Sequence, residues 1–168
     1  MAIKRLAIDG YAQLELNQVA FRRDGRIEAQ CKLADGIEYV ENGMILAIDQ
    51  ATRTVNYPSA DGDDFLALNY TTEHMYDERA RALKNFKLDK DTFLPRLGYL
   101  AKGDKFTTNC ISYDDAQEID EIVATEAYGH AHTDGSILVN NEKDGAIVKV
   151  VKATTMPDGQ FAIKFIAL

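Results

Sequence analysis

The stretch AIVKVVKA (146–153), followed by MPDG (156–159) and QFAIKFIAL (160–168), decides the fold class. Apolar residues alternate with polar ones on both sides of a turn signal, the mark of strands with one buried face. Pro157 presets its own φ, and Gly159 takes the positive φ that closes a tight turn. The spacing predicts a hairpin in which Phe161, Ile163 and Phe165 share one face.

The same punctuation runs through the chain. Of the 11 glycines, eight follow Asp or Asn, beginning with Asp9-Gly10 and ending with Asp158-Gly159. Such pairs tolerate left-handed backbone angles and fit tight reversals between short strands. Two further hairpins are expected. Residues 14–21 and 26–33 flank Asp24-Gly25, with Leu14 and Leu16 alternating on one side and Ile27, Ala29, Cys31 and Leu33 on the other. Residues 44–48 and 54–57 form the second pair. Helical spacing is confined to two places. Residues 73–86 place Met75, Ala82, Leu83 and Phe86 near one face, and Asp77 and Arg81 form an i,i+4 pair. Residues 114–125 place Ala116, Ile119, Ile122 and Val123 together, with Ser112 and Asp115 as a capping box. The latter stretch is acidic without an interleaved base, the pattern of a short exposed helix or acidic loop. The expected fold is mainly β (a β-rich α+β domain): short antiparallel strands and hairpins in a barrel or sandwich, with one or two short helices. No repeat or linker divides it, so residues 1–168 read as one domain, with 1–10 as an extended N-terminal arm.

At 168 residues, 46% of them hydrophobic, the chain is long enough to bury a core without metals or disulfides. Its 27 acidic against 19 basic side chains give a net charge of −8. A protein that grips nucleic acid by its phosphates needs a basic surface, so direct nucleic-acid binding is not expected. Cys31 and Cys110 lie far apart and outside any C-x-x-C pair, which favours two buried thiols over a bridge. The N-terminus lacks the apolar core of a signal peptide, and the longest apolar run, residues 44–48, is too short to span a membrane. Synthesis and folding in a cytoplasm are expected.

Only GHAHTD (129–134) resembles a reactive site. On a strand, His130 and His132 point to one face, Asp134 continues the row, and His74 is the remaining histidine. H-E-x-x-H is absent, and two exposed histidines before an Asp-Gly turn are the commoner arrangement. The acidic DGDD (61–64) lacks the EF-hand order, and GDK (103–105) lacks the phosphate-loop spacing. No serine sits in a nucleophile elbow. The sequence therefore points away from an enzyme, with no cofactor expected. Candidate interface residues are the basic pairs Lys4-Arg5 and Arg22-Arg23 and the amphipathic rings of Tyr11, Tyr70, Tyr76, Tyr99 and Tyr113. For any one ring, core or ordinary surface is the commoner placement.

Three phrases carry a resemblance: GY (10–11) with LELNQVAFRRDGRIEAQC (14–31), LNYTTEHMYDER (68–79), and GYL (98–100) with GDKFTTNC (103–110). Together they hold 43 of the 168 residues, spread between residues 10 and 110. In these phrases the chain resembles small head-associated structural proteins of tailed bacteriophages, in particular capsid decoration (cement) proteins. The resemblance implies a β-rich virion protein on the capsid exterior, made in the host cytoplasm and bound to the major capsid protein. It implies a homo-oligomer, trimeric in the first instance, whose N-terminal arm (here residues 2–10) adds a strand to the shell. It carries over no residue-level motif. The alternatives are another virion component (a tail or head-completion protein), a small metal-dependent hydrolase using His130 and His132, and a ligand-binding barrel with a deep apolar pocket.

Overall fold

The computed structural model describes residues 2–62, 65–71 and 83–168. In chain order its strands are β1 (Ile3–Arg5), β2 (Leu14–Gln18), β3 (Ile27–Glu28), β4 (Lys32–Leu33), β5 (Tyr39–Val40), β6 (Ile45–Asp49), β7 (Thr54–Asn56) and β8 (Leu66–Asn69). They continue as β9 (Leu88–Asp89), β10 (Leu97–Gly98), β11 (Lys105–Thr108), β12 (Ile111–Asp114), β13 (Tyr128–Ala131), β14 (Ile137–Asn140), β15 (Val148–Thr155) and β16 (Phe161–Ala167). One helix, α1 (Ile119–Val123), and a 3-10 turn at Leu83–Asn85 complete the described elements. The protein is mainly β, as the turn pattern implies.

The strands form an eight-stranded sheet in the order β1-β12-β14-β13-β15-β16-β11-β2, a six-stranded sheet in the order β3-β10-β8-β6-β7-β4, and the pair β5-β9. Neither large sheet closes on itself, so among the described residues the barrel alternative gives way to open, facing sheets. One core lies between them. Phe106, Ile163 and Phe165 of the larger sheet meet Ile45 and Leu68 of the smaller one. The rings of Phe106 and Phe165 stack at a tilt, 5.6 Å apart, and burying each stabilises the fold by roughly 1.5–3 kcal/mol. A second core covers the other face of the smaller sheet, where Leu46, Ile48, Val55 and Ala67 pack with Met44, Leu88 and Cys110. Ile45 and Leu46 are neighbours in sequence and enter different cores. A strand buried on both faces needs apolar residues at every position, which is why residues 44–48 read as an unbroken apolar run.

The C-terminal hairpin forms as its alternation predicts, with Thr155 opposite Phe161 and Val148 opposite Ala167. The second hairpin also forms, pairing Ile48 with Val55. The hairpin around Asp24-Gly25 does not. β2 pairs with β11 in the larger sheet, whereas β3 pairs with β10 in the smaller one. Gly25 does adopt a left-handed φ of 69°, but the turn it closes, with Arg26 N–H donating to the Phe21 carbonyl, carries the chain from one sheet to the other. Phe21 at that crossing is fully buried beside Tyr70, ring centroids 5.0 Å apart.

The acidic helix is shorter than its spacing implies. α1 covers Ile119–Val123, with Ile119 and Ile122 buried and Glu118 at its N-cap without a side-chain bond. Ser112 cannot cap it, because Ser112 lies in β12 and its hydroxyl bonds to that of Ser136 at 2.5 Å. Most of the helix expected at 73–86 lies outside the described residues, and its end at Leu83–Asn85 is a single 3-10 turn. Asp63 and Asp64 also lie outside them. Both cysteines are free and buried, as expected. Among the described residues no helix is long and apolar enough to cross a membrane.

Candidate functional site

The histidine pair sits at the end of β13, where the chain reverses into β14 through residues 132–136. His132 N–H donates to the Ser136 carbonyl at 3.1 Å, and Gly135 N–H to the His132 carbonyl at 2.9 Å. Asp134 closes the turn with its side chain. One carboxylate oxygen, Oδ1, accepts the Ser136 N–H at 2.8 Å and the Ser136 hydroxyl at 2.5 Å, and meets His132 Nδ1 at 2.8 Å. Burial pushes the Asp134 carboxyl up, but the bonds from Ser136 and His132 outweigh it and hold it below the usual carboxylate range. Its contribution to stability is therefore present at neutral pH and is lost as the pH falls through that depressed value.

His130 has different partners. Its Nε2 lies 3.0 Å from Asn140 Oδ1 and 3.0 Å from the Glu142 carbonyl, across the same hairpin. The two imidazoles are thus tied to separate groups. Among the described residues no three His, Cys, Asp or Glu side chains gather as a metal site, and His74 lies outside those residues. Ser136, Asp134 and His132 contain the residue types of a hydrolytic triad in the wrong order. The carboxylate stands between serine and histidine, so the imidazole cannot take the serine proton. Ser136 is also fully buried.

No family model, curated protein or solved structure matches this chain.

A second polar constellation, which no local pattern announces, joins the N-terminal strand to both sheets. Arg5 on β1 donates Nη1 and Nη2 to the two carboxylate oxygens of Glu41 at 3.0 and 2.9 Å. Glu41 is only 3% exposed. It also accepts the Ala12 N–H at 2.6 Å, and its carbonyl accepts from Asn69 Nδ2 at 2.9 Å. Such a fork-to-fork pair fixes the approach of β1 as well as neutralising a buried charge. Arg5 Nη2 also reaches Cys110 Sγ at 3.5 Å. Even so, burial pushes the Cys110 thiol up to about 12 against the pull of the guanidinium. The thiolate is the nucleophile, so Cys110 is chemically silent at neutral pH. Burial likewise raises the Cys31 thiol. At pH 8 the folded protein is expected to resist an aromatic disulfide reagent, and both thiols should appear when denaturant is added. Fast labelling of one thiol in the folded state would overturn the sealed geometry.

The candidate interface residues fall into different settings. Lys4 stands on the edge strand, paired with Asp115 at 3.2 Å and lying over the ring of Tyr113. Arg5 faces inward, as described. Arg23 pairs with its neighbour Asp24 at 2.8 Å, and Arg22 lies on the same turn, facing the shallow groove beside β2. Tyr11 meets Tyr39 edge-on at 5.8 Å. Tyr99 is half-buried and its hydroxyl accepts from Gln50 at 2.7 Å. Tyr70, at 3% exposure, is a core residue and offers no surface. Tyr76 lies outside the described residues.

The larger sheet also has an outward face that sequence inspection missed. Its cross-strand registers place Lys149, Ile166, Lys105 and Gln18 in one row, which ends at the buried Tyr128. Lys152, Lys164, Thr107 and Glu15 form the next. Lys149 and Lys152 are three residues apart and would face opposite ways on a regular strand. A register shift between Val150 and Lys152 puts both on the same side.

Proposed function

We propose that this chain is a non-enzymatic structural component of a tailed-phage particle, a decoration protein that binds the outside of the assembled shell and stabilises it. The observation that supports this most directly is the position of β1. It is the end strand of the larger sheet, paired with β12 on one side, and no described strand lies on the other. Lys4–Asp115 and Arg5–Glu41 hold it in place, and Ile3 is 36% exposed beside the open edge. A rigid edge of this kind can take a further strand from a partner, with ladder hydrogen bonds supplying affinity and the alternate side chains supplying selectivity. The N-terminal segment thus remains on its own sheet and offers an edge.

The mechanism would be one of mass action. A protein that binds only the assembled shell stabilises that state in proportion to its occupancy, and each copy adds interface across a subunit seam. Purified protein is expected to bind empty expanded shells of its own phage in hundreds of copies (an order of magnitude set by shell geometry) and to raise their disruption temperature. Recovery in tails, at about a dozen copies per particle as a local symmetry axis would dictate, would assign it to a different part of the virion. A total lack of binding to shells would sink the proposal.

A further inference from the structure

The outward lysine face has a charge opposite to that of the chain as a whole. In a protein of net charge −8, the two rows hold Lys105, Lys149, Lys152 and Lys164 against Glu15. Lys149 is neutralised by Glu126. Lys105, Lys152 and Lys164 make no ion pair among the described residues. Lys152 and Lys164 are moreover direct cross-strand partners. Like charges at such positions repel and destabilise a sheet, so their pairing is unfavourable in the isolated chain. Ile166, between Lys149 and Lys105, belongs to neither core and adds an apolar contact at the centre of the face.

The complementary surface lies on the other side of the same sheet. Ile119 and Ile122 of α1 enter the core between the sheets with Ile163 and Phe165, whose side chains point away from the lysines. The exposed side of that segment carries Asp115, Glu118, Asp120 and Glu121, of which only Asp115 meets a base, Lys4, among the described residues. Within the chain, Glu118, Asp120 and Glu121 meet none of these lysines among the described residues. They can meet between chains.

We infer that the lysine face of one copy docks the 114–121 segment of a second copy, head to tail. Averaged over their surfaces two copies repel, and this orientation is the one that brings opposite charges together, which gives it selectivity. The contact is heterologous, so it closes into a ring or continues as a chain according to the rotation between copies. This extends the proposed function by assigning the surfaces through which copies associate, and it rests on that proposal only for its biological setting.

A charge-exchange experiment tests it by sedimentation equilibrium. At about 0.01 M salt, where charges interact over about 30 Å, the wild-type protein is expected to show a mass at least twice its 18.7 kDa. At about 1 M salt it should return to a single chain. K152E/K164E alone and D120K/E121K alone should remain single chains at low salt, each with an unchanged circular dichroism spectrum. Their equimolar mixture should recover the wild-type mass, because each reversed surface then finds its complement. A wild-type protein that stays monomeric at low salt overturns the inference, as does a mixture that fails to associate. Retention of monomeric wild type on heparin, lost in K152E/K164E, would give the face to a polyanion and overturn it equally. The shell experiment is independent: a monomer that binds shells leaves the proposed function standing and removes this contact.

Discussion

Glu41→Ala is expected to lower the midpoint of urea unfolding more than any surface substitution, with a loss of about 3–5 kcal/mol. The change leaves the Arg5 guanidinium without its fork, against a thiol with a pKa of about 12, and removes the acceptor of the Ala12 N–H. A partly buried charge without its partner and an orphaned backbone donor both carry a desolvation penalty. With a urea dependence of about 1–3 kcal/mol per molar, the midpoint should fall by roughly 2 M. The pair itself is another matter. Arg5→Met with Glu41→Leu replaces both charges by apolar volume and should be less destabilised than Glu41→Ala alone. If the double variant is the worse of the two, the ion pair is contributing net stability and the stated cause is wrong.

Gly43→Ala should come next, at about 2–5 kcal/mol, the sum of a left-handed alanine and an overpacked core site. Gly43 has φ +86°, and its N–H donates to the Asn69 carbonyl at 2.9 Å, so the backbone cannot turn away. A methyl group there would collide with Thr108 Oγ1 and stand 3.2 Å from Cys110 Cβ. That hydroxyl donates to the Gln13 carbonyl at 2.6 Å and accepts the Cys110 N–H at 3.0 Å, so displacing it breaks two buried bonds. Gly159→Ala is the control. Its φ is +88° with nothing within 4 Å of an added carbon, and it should show the conformational part alone. Thr108→Ala should relieve part of the Gly43→Ala loss, a non-additivity readable in a double-mutant cycle. Equal losses at Gly43 and Gly159 would show that the close packing is not being felt.

How far the sequence is legible depends on the range over which each feature is encoded. The hairpin of β15 and β16 is written in adjacent residues: alternation on both arms, and proline and glycine at the turn. The hairpin of β6 and β7 is similar. The misplaced pairing around Asp24-Gly25 fails because alternation says which side of a strand is buried and is silent about which strand lies beside it. The partners of β2 and β3 lie about ninety and seventy residues away, a separation read from Leu16–Phe106 and Ile27–Gly98. His130, His132 and Asp134 have spacing suited to a metal, yet the same spacing lets an aspartate close a hairpin, and local pattern cannot separate the two. The lysine face is hidden by one inserted residue, since the shift at Val151 reverses the parity on which any two-residue period depends. Arg5, Glu41 and Cys110 have no relation in sequence at all.

The position of β16 bears on when this protein can fold. Phe161–Ala167 is an interior strand of the larger sheet, hydrogen-bonded to β15 on one side and β11 on the other. β1, which precedes β16 in the chain, is anchored to Ile111–Asp114, and Asp9 N–H donates to the Gln160 side chain. Until Phe161–Ala167 has cleared the exit tunnel, β11 and β2 have no strand joining them to the rest of that sheet. Such long-range pairing delays closure and prolongs the exposure of unpaired edges. Because β16 joins strands made before it, the larger sheet cannot close until that strand has emerged, and during that interval a nascent-chain chaperone would find the most to hold.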